Sequence, residues 1–337
     1  MVKLRISPFK IDKIEDDPNA FGNRPQEFIT CMESLFNNQH ILISGDRGIG
    51  KSSLAFQIKN LYMGNHILAE RCGIKTKLDE YLTCFYTCGK GTTLFTLASD
   101  LLIRLEHKCY RIKDKIKRNP EKFEESLHLD AIKAKLQTDL MKDNPASIAT
   151  QFINGLDNIY ISLLKFTDLK GIVITIDELD KLGKNVEFGH FFKIVHEYLN
   201  QDGLSRINFI LVGQKGTFSQ LKEQDPSTER TLKHVILKAL KDDEVRHILN
   251  YASSKKSETP FTVDPDAEKL ILEISSGHPL IIQLLGNAAF SSMEDPTRMT
   301  QKDVLKGISK ILKSDTYEKY HPTLVSYLQK YNYISEK

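Results

Sequence analysis

A short segment near the N-terminus carries the residue types that hold phosphate groups. Residues 45–52 read GDRGIGKS and match the pattern G-x-x-x-x-G-K-[ST] at every fixed position. The apolar run ILIS precedes this segment and the helix-forming run SLAFQI follows it, which is the context that the motif requires. Its glycines let the backbone curl so that N–H groups face phosphates at a helix N-terminus. The motif therefore predicts ATP binding by Gly45, Asp46, Arg47, Gly48, Ile49, Gly50, Lys51, Ser52 and the adjoining Ser53.

Two side chains of this phosphate loop and two later acids predict the chemistry. We expect Lys51 to bring a point charge to the β- and γ-phosphates and the Ser52 hydroxyl to bind Mg²⁺. The run GIVITIDE at 171–178 is an apolar segment that ends in two acids. Asp177 is then the second Mg²⁺ ligand, and Glu178 is the general base that polarises the attacking water. This pair predicts ATP hydrolysis as well as binding.

The elements that must position these residues form an alternating pattern. Apolar runs rich in β-branched and aromatic residues lie at 40–44, 81–88, 172–176, 207–212 and 234–237, and amphipathic stretches separate them. Continuous apolar strands that alternate with helices predict a parallel sheet covered on both faces. The predicted fold class is α/β, with a three-layer α/β/α core.

A change in pattern divides the chain. After about residue 240 the strand-like runs stop and helix start signals follow, at Asp242, at Asp264-Pro265, at Pro279 and at Thr300. We predict a nucleotide-binding core at 1–240 with a helical insertion at 106–157, a small all-helical lid at 241–315, and a C-terminal tail at 316–337.

With these motifs the chain resembles the AAA+ superfamily over about residues 21–311. Within it, the chain is similar to the branch of replication-initiator ATPases and the related STAND signalling ATPases. The segment FGNRPQEF at 21–28 is similar to the F-x-G-R-x-x-E segment of this branch, with Asn23 inserted. The resemblance implies that Phe21 and Arg24 lie near the adenine. It also implies ATP and Mg²⁺ as ligands and assembly into a homo-oligomer.

Three further positions take their expected roles from the same resemblance. Gln214 follows the fourth strand, where the family places the polar sensor-1 residue. Arg230, in PSTER before the fifth strand, corresponds to the arginine finger that reaches a neighbouring subunit's γ-phosphate. His278 and Pro279, in GHPL at 277–280, match the G-x-P element beside the adenine and ribose. Many members carry an arginine where this chain has Leu280, which favours the STAND side of the branch.

Composition and charge exclude several classes of protein. Hydrophobic residues make up 40% and charged residues 27% of the 337 positions, as in globular proteins, and the formal net charge is only +3. No apolar run is long enough to span a membrane, and the N-terminus lacks the apolar region of a secretion signal. The five cysteines are scattered, which is typical of reduced thiols. We expect a cytoplasmic protein without membrane contact.

Two hypotheses describe what the ATPase drives. In the first, nucleotide state controls assembly and action on DNA or on a partner protein, with DNA held by the basic stretch at 108–118. That stretch contains Lys108, Arg111, Lys113, Lys115, Lys117 and Arg118, opposed only by Asp114. It could equally be a solvated helix face, because acids follow at 121–125. In the second, the chain is a signalling or scaffold ATPase of a defence-type complex, acting with a separately encoded effector protein and without direct DNA binding. A metabolic kinase is disfavoured because those enzymes lack the helical lid.

Overall fold

The computed structural model describes residues 6–22, 24–75, 78–112, 115–117, 119–127, 144–183, 186–201, 203–204, 206–254, 260–313, 324–325 and 328. The described residues form two compact units. One is an α/β unit made of Pro25–Asp46 and Leu54–Leu237. The other, which we call the helical unit, draws on Met1–Arg24, Arg47–Ser53 and Lys238–Lys337.

A five-stranded parallel sheet is the centre of the α/β unit. Its strands are β1 (His40–Ser44), β2 (Leu82–Thr87), β3 (Ile172–Asp177), β4 (Ile207–Gly213) and β5 (Leu232–Ile236), in the order β2-β3-β4-β1-β5. Every residue of β1, β3 and β4 is buried, which explains their continuous apolar sequences. Because the strands are parallel, the carboxyl ends of β1, β3 and β4 lie at one edge of the sheet. The predicted α/β fold is confirmed.

Helices precede and connect the strands of this unit. They are α1 (Pro25–Phe36), α2 (Lys51–Tyr62), α3 (Ile67–Arg71), α4 (Leu94–Arg111), α5 (Pro120–Ser126), α6 (Pro145–Phe166), α7 (Phe188–Gln201), α8 (Thr217–Gln224) and α9 (Thr228–Thr231). The first residues of α2 belong to the helical unit. Asn119 and Asn144 cap α5 and α6, and a proline follows each cap, so both Asn-Pro pairs begin helices.

The segment between β2 and β3 contains α4, α5 and α6. Leu102 of α4 packs closely on Gly155 of α6, where an added Cβ would lie 2.8 Å from the leucine methyl groups. Phe123 of α5 packs against Phe166 of α6. The middle of the expected insertion, at 128–143, lies outside the described residues.

Four helices make up most of the helical unit: α10 (Asp242–Ser253), α11 (Pro265–Ser275), α12 (Pro279–Phe290) and α13 (Gln301–Lys313). They begin at the capping and proline signals read from the sequence. Thr300 and Asp303 cap α13 reciprocally, since each backbone N–H donates to the other side chain. Phe9 packs against Gly286 of α12 and joins the core of this unit. Apart from residues 324–325 and 328, the expected tail at 316–337 lies outside the described part of the chain.

The expectation of an all-helical lid needs one correction. A parallel pair of two-residue strands, β6 (Thr262–Val263) and β7 (Arg298–Met299), lies among these helices. Two residues are too few for strand periodicity to be visible in a sequence. Among the described residues, no helix is long and apolar enough to cross a membrane.

Candidate nucleotide site

The phosphate loop connects β1 to α2. Its three glycines all have positive φ, at 154° for Gly45, 77° for Gly48 and 95° for Gly50. Gly48 and Gly50 occupy backbone conformations that strain other residues. Lys51 is the first residue of α2, whose first turn contains no acid. The loop therefore ends at a helix N-terminus whose partial positive charge is available to an anion.

Helix α12 approaches this loop at Gly48. The Leu280 N–H donates to the Gly48 carbonyl oxygen at 3.3 Å. A Cβ on Gly48 would lie 2.7 Å from the Cβ of Leu280 and 3.1 Å from Cε1 of His278. Glycine is thus required at position 48 both for its conformation and for this contact.

A cavity of about 350 Å³ lies beside the loop within the helical unit. Its volume falls within the range of small-molecule pockets. Its lining combines residues of the loop and of the start of α2 with apolar residues; the set includes Ile11, Ile14, Phe21, Arg24, Arg47, Gly48, Gly50, Lys51, Ser52, Ser53, Leu240, Ile248, Pro279, Leu280 and Gln283. The cavity therefore offers both cationic groups and apolar surface to a ligand.

The N-terminal segment at 10–15 also lines this cavity, which the sequence did not predict. The Lys10 N–H donates to Oε1 of Gln283 on α12 at 2.8 Å. The Glu15 N–H donates to the Ser53 hydroxyl at 3.1 Å. The Lys10 ammonium forms ion pairs with Glu15 and Asp16, each at 2.9 Å. These contacts hold the segment between α12 and the start of α2.

Phe21 and Arg24 line the cavity, and both are buried. Arg24 is only 1% exposed and has a φ of 47°, which is unusual for a residue other than glycine. Its guanidinium donates to two backbone carbonyls, those of Ile49 and Lys238, at 2.8 Å each. Adenine contact by Phe21 and Arg24 stays a prediction. Asn23, between them, lies outside the described residues.

The two predicted catalytic acids lie where β3 ends in the α/β unit. Asp177 is 4% exposed, and its Oδ1 accepts the Glu178 N–H at 2.8 Å. Glu178 is half-buried with a φ of 55°, and its carboxylate pairs with Lys181. The Cys88 N–H donates to the Asp177 carbonyl at 2.8 Å. Burial, with Asp177 nearby, raises the pKa of the Cys88 thiol to about 12, so this cysteine stays protonated.

Gln214 and Arg230 also belong to the α/β unit. Gln214 follows β4, and its N–H donates to Oδ1 of Asp180 at 3.1 Å. Gln214 and Asp180 line a second cavity of about 540 Å³. Arg230 is exposed on the short helix α9. An exposed arginine is accessible to another molecule, but the finger role stays a prediction.

Two of the four basic residues that the structure describes in the stretch at 108–118 are paired with acids. Lys115 pairs with Glu80, and Lys117 pairs with Asp168. Lys108 is half-buried and Arg111 is exposed. Lys113, Asp114 and Arg118 lie outside the described residues.

No protein-family model matches the sequence, and no curated protein sequence is significantly similar to it. Solved structures do match. The Aeropyrum pernix ORC2 protein, in ADPNP–ADP complexes, aligns with a TM-score of 0.55 and 17% identity, over 93% of this chain and 73% of that one.

Two other structures align nearly as well. The Aeropyrum pernix ORC1 protein in complex with DNA has a TM-score of 0.51 and 14% identity, over 89% of this chain and 67% of its own. A Walker-type ATPase of Pyrococcus abyssi has a TM-score of 0.51 and 17% identity, over 95% and 79%. The chain has the fold of these proteins. The resemblance to the replication-initiator branch is thereby confirmed at the level of the fold.

Proposed function

We propose that this protein binds ATP·Mg²⁺ and hydrolyses ATP. The observation that carries this proposal is the cavity of about 350 Å³ beside the phosphate loop. Its lining combines the cations Arg47 and Lys51, the hydroxyl of Ser52 and apolar side chains such as Phe21 and Ile248. This arrangement fits a triphosphate at one end and a base at the other.

Each polar group has a distinct task in the proposed reaction. Lys51 binds the β- and γ-phosphates. The Ser52 hydroxyl and the buried Asp177 carboxylate are the hard oxygen ligands that Mg²⁺ prefers, so the residue types fit this ion. Bound Mg²⁺ neutralises charge that develops on the phosphate oxygens. Glu178 accepts the proton of the attacking water, and Gln214 orients that water or the γ-phosphate.

We further propose that nucleotide state controls assembly and action on DNA. The exposed position of Arg230 supports assembly, since a neighbouring subunit's phosphate could reach it. The likeness to an ORC1 protein whose structure contains DNA supports a DNA substrate. In this function the protein is a nucleotide-controlled switch that forms homo-oligomers.

A signalling or scaffold ATPase without DNA binding is the second candidate. The ion pairs Lys115–Glu80 and Lys117–Asp168 favour it, because lysines engaged by acids are less available to DNA phosphates. Here the effector is a separately encoded protein.

Lys51→Ala tests the central proposal. It removes the lysine of the phosphate cradle, so ATP affinity or phosphate release should be lost. Lys59→Ala is the matched control, because Lys59 lies on the same helix over the Phe56 ring and is absent from the cavity lining. Phosphate release by Lys51→Ala at the wild-type rate would contradict ATP hydrolysis at this site.

Gel shifts with nonspecific duplex DNA between low and moderate salt separate the two candidates. Binding that weakens steeply with salt supports action on DNA. Substitution of Lys115 and Lys117 by Glu should then weaken DNA binding relative to the wild type at the same salt concentration. A wild-type protein without DNA affinity at low salt would favour the scaffold function, and co-purification of a partner protein would support it.

A further inference from the structure

Two successive carbonyl groups of the phosphate loop accept hydrogen bonds from other segments of the helical unit. The Gly48 carbonyl accepts the Leu280 N–H at 3.3 Å. The Ile49 carbonyl accepts Nη2 of Arg24 at 2.8 Å. Leu280 is one of the first residues of α12, where a backbone N–H has no partner within the helix.

These bonds decide where the next N–H groups point. In a planar trans peptide the carbonyl and the following N–H point in opposite directions. The N–H groups of Ile49 and Gly50 must therefore face away from Leu280 and Arg24. Successive backbone N–H groups that are presented together can form an anion-binding concavity.

Gly50 makes this orientation easy to lose. Its φ of 95° is one of several backbone conformations that glycine can adopt at similar energy. The Ile49–Gly50 peptide can therefore rotate at low cost. A rotated peptide would present the Ile49 carbonyl to the ligand, where oxygen would repel phosphate. The Arg24 guanidinium opposes that rotation because it holds the carbonyl on the other side.

Arg24 is itself fixed from several directions. Nη1 donates to the Lys238 carbonyl at 2.8 Å. The Arg24 N–H donates to Oε1 of Glu244 at 2.9 Å, and this bond supports its left-handed backbone conformation. Oε2 of Glu244 accepts the Lys241 N–H at 2.8 Å at the start of α10. Glu244 is only 7% exposed, so its carboxyl group, like the Arg24 guanidinium, is withdrawn from water and depends on hydrogen-bond partners within the protein.

We propose that Arg24, held by Glu244, is a positioning residue for phosphate binding. It fixes the Ile49–Gly50 peptide with the Gly50 N–H toward the terminal phosphates. The inference rests on the proposed nucleotide binding, and it assigns Arg24 to the loop backbone, whereas the sequence resemblance placed it near the adenine. It also gives Glu244 a role that the motifs did not indicate.

The inference predicts that loss of Arg24 weakens binding of phosphates and leaves binding of the nucleoside intact. The variants are Arg24→Lys, which keeps the charge but cannot bridge two carbonyls equally, and Arg24→Met. Competition against a fluorescent ADP analogue gives dissociation constants for ATP and for adenosine at up to millimolar concentration. ATP affinity should fall by about tenfold or more, as expected for loss of a charge-assisted hydrogen bond. Adenosine affinity should change by less than about twofold.

Arg246→Met is the matched control. Arg246 lies on α10 and forms an ion pair with Glu268 at 2.8 Å. Its substitution therefore removes an arginine–glutamate contact that does not involve the phosphate loop. Its ratio of ATP to adenosine affinity should equal that of the wild type. Circular dichroism checks that each variant is folded.

Glu244→Gln gives a second test that leaves Arg24 in place. An amide has one oxygen, so it can accept only one of the two N–H groups that Glu244 accepts. ATP affinity should fall less than in Arg24→Met, and adenosine affinity should again be kept.

The outcomes are distinct. A wild-type protein that binds no ATP would overturn the proposed function. A wild-type protein that binds ATP, with Arg24 variants that lose ATP and adenosine equally or lose neither, would overturn this inference alone.

Discussion

Substitution of Gly48 by alanine tests the contact between the phosphate loop and helix α12. Gly48 has a φ of 77°, where a side chain strains the backbone. Its Cβ would lie 2.7 Å from Cβ and 2.8 Å from Cδ2 of Leu280, and 3.1 Å from Cε1 of His278. Contacts below 3 Å cannot be kept, so either the loop or Leu280 must move.

The free-energy cost of Gly48→Ala has two parts, which a control variant can separate. The left-handed conformation costs about 1–2 kcal/mol with any L side chain. Gly91→Ala carries the same cost, because Gly91 has a φ of 84° and, beyond its chain neighbours, no atom of the described residues lies within 4 Å of its added Cβ. Overpacking adds about 1–3 kcal/mol at Gly48 alone. We therefore expect Gly48→Ala to lose about 1–3 kcal/mol more free energy than Gly91→Ala. The loss should be seen as lower stability, weaker ATP binding or both.

Urea unfolding and ATP titration of both variants measure this difference. Leu280→Ala in the Gly48→Ala background should restore only part of the loss, because it removes Cδ2 but keeps the Cβ at 2.7 Å. Equal stability and equal ATP affinity for Gly48→Ala and Gly91→Ala would refute the close approach of α12 to the loop.

Three other predictions concern the acids, assembly and pH. Glu178→Gln should keep ATP affinity and release phosphate about 100-fold more slowly or worse, because an amide cannot accept the proton; normal turnover would show that Glu178 is not the base. If Arg230 acts on a neighbour, turnover per subunit should rise with protein concentration, and mixing Arg230→Ala with Lys51→Ala subunits should restore some activity. Turnover that is independent of protein concentration, without rescue on mixing, would contradict the arginine-finger role of Arg230. Burial, with a smaller contribution from His196, lowers the pKa of His40 to about 3. The neutral ring therefore stabilises the fold above about pH 6.5, and roughly 2 kcal/mol is lost by pH 5. His40→Gln should show a flatter pH dependence in urea unfolding, and unchanged curvature would argue against this assignment.

The sheet and the helix starts could be predicted because their signals are local. Strands β1, β3 and β4 are buried on both faces, so each is a continuous apolar run whose limits are visible in the sequence. Edge strand β5 begins two residues earlier than its apolar run predicted, at Leu232, because exposed Lys233 interrupts the pattern. Prolines and caps marked the starts of α11 and α12 for the same local reason.

The site could be predicted only where its residues form a contiguous motif. The segment at 10–15 was missed because its partners are remote in sequence; Lys10 and Gln283 are 273 positions apart. No local pattern announces such a pairing. Arg24 is a similar case, since its guanidinium bonds to the carbonyl of Lys238, 214 positions away. A motif can thus identify a residue near a ligand without revealing which atoms it holds.

Leu280 occupies the position where many members of the AAA+ superfamily, which the sequence resembles, carry an arginine. At this position no side-chain cation can link α12 to bound phosphates. The Leu280 N–H nevertheless bonds to the Gly48 carbonyl. This bond belongs to the backbone and so is independent of the side chain at 280. Its strength depends on the position of α12 relative to the loop. If phosphate binding fixes the Gly48 carbonyl in the position that accepts this bond, reciprocity requires that it also favours the α12 position that donates it. This backbone bond is therefore the contact through which α12 and the loop can be coupled in this chain.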